Sequence, residues 1–155
     1  MSDNEFKNWM APDAQDANEE GSLMSAIPHS RELGMRLVSR APDEAVMMIP
    51  YDPRLIGDPE TGVMHGGAIT ALLDTCCGTA VMMSTKKPSS TATLDLRINY
   101  MRPATPEKSV YAFAHCYRAT RSVGFVRAVA YHENRDDPIA TASAAFILNF
   151  KGGQV

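Results

Sequence analysis

The chain has 155 residues, a formal net charge of -3 and 45% hydrophobic residues. A domain of this size buries roughly 70% of the surface its unfolded form exposes, so its core needs no staple. No basic patch is visible, which argues against a nucleic-acid partner, and Cys76, Cys77 and Cys116 lack the spacing of a zinc site or a disulfide framework.

Residues 1–25 are polar, with Asp13, Asp16, Glu19 and Glu20, and read as an arm ahead of a single domain spanning 26–152. The acidic start lacks the pattern of a signal peptide, and unpaired thiols suit a reducing compartment, so a cytoplasmic location is expected. Leu33, Met35 and Leu37 alternate with polar neighbours, as do Val46, Met48 and Pro50, which predicts two strands. Ala41-Pro42-Asp43 between them is turn chemistry. Residues 51–62 are rich in Pro, Gly and Asp and read as a loop. Residues 66–85 then read as a helix, closed by Lys86-Lys87 in its last turn and by Pro88 beyond. The apolar run at 68–83 is interrupted by Asp74 and falls short of a membrane span. Four more strands are expected at about 91–101, 109–119, 123–134 and 139–150, with turns at Thr105-Pro106 and at 135–138. In the first of these, Leu94, Leu96, Ile98 and Tyr100 face one way, and Thr93, Asp95, Arg97 and Asn99 the other. Six strands around one helix predict an α+β fold, an antiparallel sheet with the helix packed on one face.

Asp74 is the only charged residue in that helix. A helix apolar nearly all round is buried, and a buried carboxylate is costly unless it is partnered. Asp74 also lies too late in the helix to be an N-cap. It shares a face with Gly67, Thr70, Ala71, Cys77, Gly78 and Val81, while Ile69, Leu72, Cys76, Thr79 and Met83 lie opposite. Small residues beside the carboxylate would leave a groove for a general base or nucleophile. The plainer reading is a structural Asp satisfied by the hydroxyls of Thr70 or Thr75.

His65-Gly66-Gly67 precedes the helix. A helix N-terminus carries unpaired N–H groups and the positive end of the dipole, and glycines let a ligand approach the backbone. Such a turn can hold an oxyanion; it can equally be an ordinary strand-to-helix turn. At 1.5 Å rise per residue, Asp74 and the glycines lie roughly 11 Å apart along the axis. They cannot meet one carbonyl from within one chain. If they cooperate, two subunits supply them. Cys76 and Cys77 have no histidine at motif spacing and read as buried small residues.

The stretch from His65 to Asp74 (HGGAITALLD) resembles the PaaI-type hot-dog-fold thioesterases, whose pattern is HGG, six residues, then Asp or Glu. Ile27-Pro28-His29, Leu33-Gly34-Met35, the segment TATLDLRINYMRP at 91–103 and Ile139-Ala140-Thr141-Ala142 extend the likeness over about 26–150. The resemblance implies a long central helix wrapped by an antiparallel sheet. It implies a homodimer, often paired into a homotetramer, and acyl-CoA or aryl-CoA hydrolysis with no metal or cofactor. It casts Asp74 as base or nucleophile, Gly66 as the oxyanion donor from the other subunit within the His65-Gly66-Gly67 turn, and Thr93 as the hydroxyl that positions water. Arg121-Ser122-Val123-Gly124 resembles the family's turn near the CoA tail, and Arg102 lies at a predicted strand end where arginine suits phosphate. The pattern departs from the family in one place. Many members carry an Asn six residues before the HGG histidine; here that residue is Pro59, which has no N–H to donate. A hot-dog dehydratase or a non-catalytic acyl-CoA binding module are the alternatives. A dehydratase is disfavoured because no second helical carboxylate is present.

Overall fold

A computed structural model describes residues 27–150. The expected arm at 1–25 and the last residues of the 26–152 domain lie outside the described residues.

A short helix α1 (Pro28–Glu32) leads through Gly34, at φ 67°, into β1 (Arg36–Ala41) and β2 (Glu44–Ile49). The first strand therefore starts later than the alternation of Leu33, Met35 and Leu37 suggested, because Leu33 caps α1 and Gly34 turns the chain. The turn between β1 and β2 falls where expected, with Asp43 at φ 66°, a conformation Asp tolerates. Residues 51–62 are more ordered than a loop. They hold a 3-10 turn (Pro53–Leu55) and β3 (Ile56–Asp58), which pairs in a small ribbon with β4 (Val63–Met64) just beyond. Asp58 shapes its turn by accepting from Thr61 Oγ1 at 2.6 Å and from the Glu60 N–H at 3.1 Å, a turn made by an Asx side chain.

The long helix α2 (Gly66–Met82) follows. It ends before Lys86 and Lys87, so no basic side chain lies in its last turn; Lys87 instead sits in a turn at φ 48°. The chain returns as β5 (Ser90–Tyr100), β6 (Val110–Ala119), β7 (Val123–Tyr131) and β8 (Ala140–Asn149). Six strands form one antiparallel sheet in the order β1-β2-β6-β7-β8-β5.

The helix lies on one face of this sheet, chiefly over β2, β6 and β7. Alternation explains the fit. Val110, Ala112, Ala114 and Cys116 of β6 and Val126, Ala128 and Ala130 of β7 are buried beneath it. Small residues there let an apolar helix come close, and Leu72, Leu73, Cys76 and Ala80 are fully buried on its underside. Each large apolar side chain so buried contributes about 1.5–3 kcal/mol.

The two strands at the ends of the sheet order are β1 and β5. In β5 a bulge interrupts the pairing with β8 between Thr93, opposite Phe146, and Asp95, opposite Ala145. Leu94 is the extra residue and is 58% exposed. The simple alternation grouping Leu94 with Leu96, Ile98 and Tyr100, and Thr93 with Asp95, is therefore corrected. Thr93 turns to the helix, and after the bulge so do Leu96, Ile98 and Tyr100.

Candidate active site

Asp74 sits in the middle of α2 on its half-exposed stripe, with Thr70, Ala71 and Gly78. Cys77 and Val81, expected on the same face, are buried instead. The carboxylate faces the edge strand β5, where Thr93 Oγ1 donates to Asp74 Oδ1 at 2.8 Å. Neither helical threonine serves it. Thr75 Oγ1 donates back to the Ala71 carbonyl at 2.8 Å, and Thr70 Oγ1 is 2.8 Å from the Tyr100 hydroxyl. The plainer reading of a structural Asp satisfied by its own helix thus loses its partners. One oxygen is held and the carboxylate is half open.

At the start of α2, His65 is the N-cap, and its Nδ1 accepts from the Gly67 N–H at 2.8 Å. An acceptor at the cap satisfies one of the open N–H groups of the first turn. That bond commits Gly67. The Gly66 N–H, at the first helical position, is bonded to no described residue. Room is limited at Gly67 and ordinary at Gly66. A Cβ on Gly67 would lie 2.8 Å from His65 Nδ1, and a Cβ on Gly66 would lie 3.4 Å from the Tyr100 hydroxyl. Gly66, Tyr100, Met64, Ile69 and Met101 border an open pocket of about 380 Å³. A second cleft of about 340 Å³ lies across the turn against His65, Gly67, His29 and Leu55. Asp74 borders neither, being eight residues and about 12 Å farther along the axis.

The expected CoA-binding residues fall at opposite ends of the helix. Arg102 is beside the first pocket, but its guanidinium is tied to Asp137, with Nε 3.2 Å from Oδ1 and Nη2 2.9 Å from Oδ2. Arg121 and Ser122 are exposed in the β6–β7 turn near the other end of α2. Thr120 staples that turn, its Oγ1 accepting from the Val123 N–H at 3.0 Å. Gly124 is buried against the helix, where a Cβ would meet Val81 Cγ2 at 3.2 Å. Its smallness is thus explained by packing. Pro59 lies exposed in the turn of the β3–β4 ribbon.

Tyr100 is the residue that sequence reading did not assign to the site. Alternation gave its face, but its hydroxyl bond to the Gly66 carbonyl, 2.6 Å, spans 34 positions and has no local signal.

The buried thiols are poorly placed to ionise. Burial pushes the Cys77 thiol up to about 12, reinforced by the Asp74 carboxylate, and burial also raises Cys76 well above its usual range. Among the described residues no group of three His, Cys, Asp or Glu side chains could hold a metal ion, and no helix is long and apolar enough to cross a membrane.

A single long helix cradled by six antiparallel strands, its lone carboxylate facing the edge strand and a diglycine turn at its start, is the hot-dog architecture of thioester hydrolases. The family model of the thioesterase superfamily matches residues 61–139, from just before the diglycine turn to the start of the last strand, and the chain belongs to that superfamily. It is 28% identical over 135 residues to the medium/long-chain acyl-CoA thioesterase YigI of Escherichia coli strain K12, covering 79% of this chain and 86% of that protein. A crystal structure of a protein from Pseudomonas aeruginosa is 41% identical, with a TM-score of 0.74, over 84% of this chain and 97% of that one. The PaaI protein from the phenylacetic acid degradation operon of E. coli shares the fold at 15% identity, with a TM-score of 0.72 over 87% of this chain and 94% of that one.

Proposed function

We propose that this thioester hydrolase acts on acyl-CoA, with Asp74 as general base and the Gly66 N–H of a second subunit as oxyanion donor. The observation that carries the reading is the Asp74 carboxylate itself, the one charge on an apolar helix, half open and oriented by Thr93. Asp74 takes a proton from water as the water oxygen attacks the thioester carbonyl. The oxyanion forms against the Gly66 N–H and the positive end of the helix. Collapse breaks the C–S bond, and the thiolate of CoA leaves and is protonated. A positioned base is worth ~10²–10⁴ in rate and one oxyanion donor ~10²–10³. Direct attack by Asp74, through an anhydride, uses the same groups.

Reach supports the shared site, because about 12 Å of helix separates Asp74 from Gly66. The edge strand supports it. β5 has 11 residues, pairs on one side with β8, and carries Leu94 at 58% and Tyr100 at 49% exposure. A long edge strand with open backbone groups is a template for pairing. Two copies joined along β5 make a two-fold homodimer with antiparallel helices, each glycine turn brought toward the other carboxylate. Pairing of such dimers into a homotetramer is compatible with this arrangement. The apolar pocket beside Gly66, with Met64, Ile69 and Met101, suits an aliphatic acyl group, in line with the acyl-CoA substrates named for YigI. Arg121, exposed beside Ser122, remains the candidate for the CoA phosphates, whereas Arg102 would first have to release Asp137. Three buried free thiols fit a cytoplasmic protein.

The test is thiol release from a panel of acyl- and aryl-CoA esters by wild type and Asp74→Asn. Turnover lost by orders of magnitude in the variant supports the reading. Binding of the esters without turnover by the wild type replaces it with a binding module.

A further inference from the structure

The Gly66–Gly67 peptide unit is gripped at both ends by side chains. Its N–H, on Gly67, donates to His65 Nδ1 at 2.8 Å. Its carbonyl, on Gly66, accepts from the Tyr100 hydroxyl at 2.6 Å. Tyr100 has a single hydroxyl proton, so with that proton given to Gly66 the Thr70 hydroxyl, 2.8 Å away, donates to Tyr100. A strand residue thus reaches across to the first turn of the helix and is itself held by the helix one turn on.

Glycine needs such a grip more than any other residue. It has no Cβ to narrow its dihedral space, and two in succession at a helix start are the least constrained turn available. A donor that stabilises a developing oxyanion is effective only when its direction is set beforehand. The N–H of Gly66 belongs to the peptide just before the gripped one, whose His65 carbonyl accepts from the Ala68 N–H at 3.0 Å; holding the 66–67 plane against that plane sets the dihedrals of Gly66 and the direction of its N–H. We infer that Tyr100, steadied by Thr70, is the positioning residue that aims the Gly66 N–H. Its catalytic consequence rests on the proposed role of Gly66, whereas the grip itself does not.

The experiment compares wild type with Tyr100→Phe, Thr70→Val and the double variant, as the full chain. Phe keeps the ring and removes only the hydroxyl. Residue-resolved amide exchange should quicken about five- to tenfold at Gly67 and Ala68 in Tyr100→Phe, with residues 76–82 unchanged. On an acyl-CoA ester, kcat should fall about tenfold with KM retained, the pattern of a group acting on the transition state. The double variant should be no worse than Tyr100→Phe, because Thr70 acts through Tyr100. Unchanged exchange at Gly67 and Ala68, or a rise spread evenly along the helix, overturns the proposal, as does an unaltered kcat. Should the wild type hydrolyse no ester, that counts against the proposed activity alone, and the exchange data still decide the grip.

Discussion

Thr93 Oγ1 lies 2.8 Å from Asp74 Oδ1, a bond from the edge strand to the centre of the helix. The hydroxyl has one proton and the carboxylate only accepts, so the bond fixes one oxygen and leaves Oδ2 to face water. Thr93→Val keeps the shape and removes the donor. A hydrogen bond to a charged group supports a loss in kcat of about 10- to 100-fold, and Thr93→Ser should restore most of it. Thr93 is exposed, so its thermal midpoint should barely move. A Val variant with full kcat would show that Asp74 is oriented by something else.

Gly66 offers a cleaner deletion than most backbone donors. It occupies the first helical position, and His65 before it sits at φ -62° and ψ 133°. Proline favours that position and demands that preceding conformation. Gly66→Pro should therefore remove the N–H, lower kcat by ~10²–10³, and leave the far-ultraviolet dichroism unchanged.

Mixing the Gly66→Pro and Asp74→Asn chains tests the shared site. Each variant alone should retain at most about one per cent of wild-type activity. In a mixed dimer one site combines both lesions and the other has neither. Random mixing should regain about a quarter of wild-type activity. A mixture as inactive as its parents would mean that each chain builds its site alone.

Gly67→Ala should act on stability. The new Cβ would lie 2.8 Å from His65 Nδ1 and expel the cap. Loss of an N-cap costs about 1 kcal/mol, a drop of a few degrees in Tm for a domain of this size. His65→Ala should cost a similar amount, and combining the two should add little.

The thiols should be silent in the native state. Cys76, Cys77 and Cys116 are all buried, and burial holds the Cys77 thiol up at about 12. An aromatic disulfide reagent at pH 8 should titrate none of them until denaturant is added, and alkylation under native conditions should leave turnover intact. Rapid loss of activity on alkylation would restore a cysteine to the mechanism.

The fold was legible because its signals were local and periodic. Alternation marked β6, β7 and β8 to within a few residues, and an apolar run bounded by Gly66 and Pro88 marked the helix. The lone Asp74 was legible as an anomaly of charge within that run. Other features had no such signal. The β3–β4 ribbon hides in a stretch whose Pro, Gly and Asp content reads as loop, since its pairing covers few residues. Thr93 was reached through family likeness, against the alternation, because a bulge changes the phase without leaving a mark in composition. The Arg102–Asp137 pair spans 35 positions and could not be read from either residue.

That bulge has a wider meaning. Thr93 and Tyr100 are seven positions apart, an odd interval, and in an unbroken strand they would point to opposite faces. The extra residue, Leu94, brings both onto the helix. The strand thereby reaches two separated points of α2 at once, the carboxylate in the middle and the glycine turn at the start. Deleting Leu94 would close the ladder, leaving Thr93 and Tyr100 six positions apart and both still on the helix face, whereas a second residue inserted between them would let the strand keep Thr93 in register or Tyr100, not both. In this chain one bulge residue sets the phase between the two halves of the proposed catalytic apparatus, and a single-residue insertion between Thr93 and Tyr100 should separate the two roles more cleanly than any substitution.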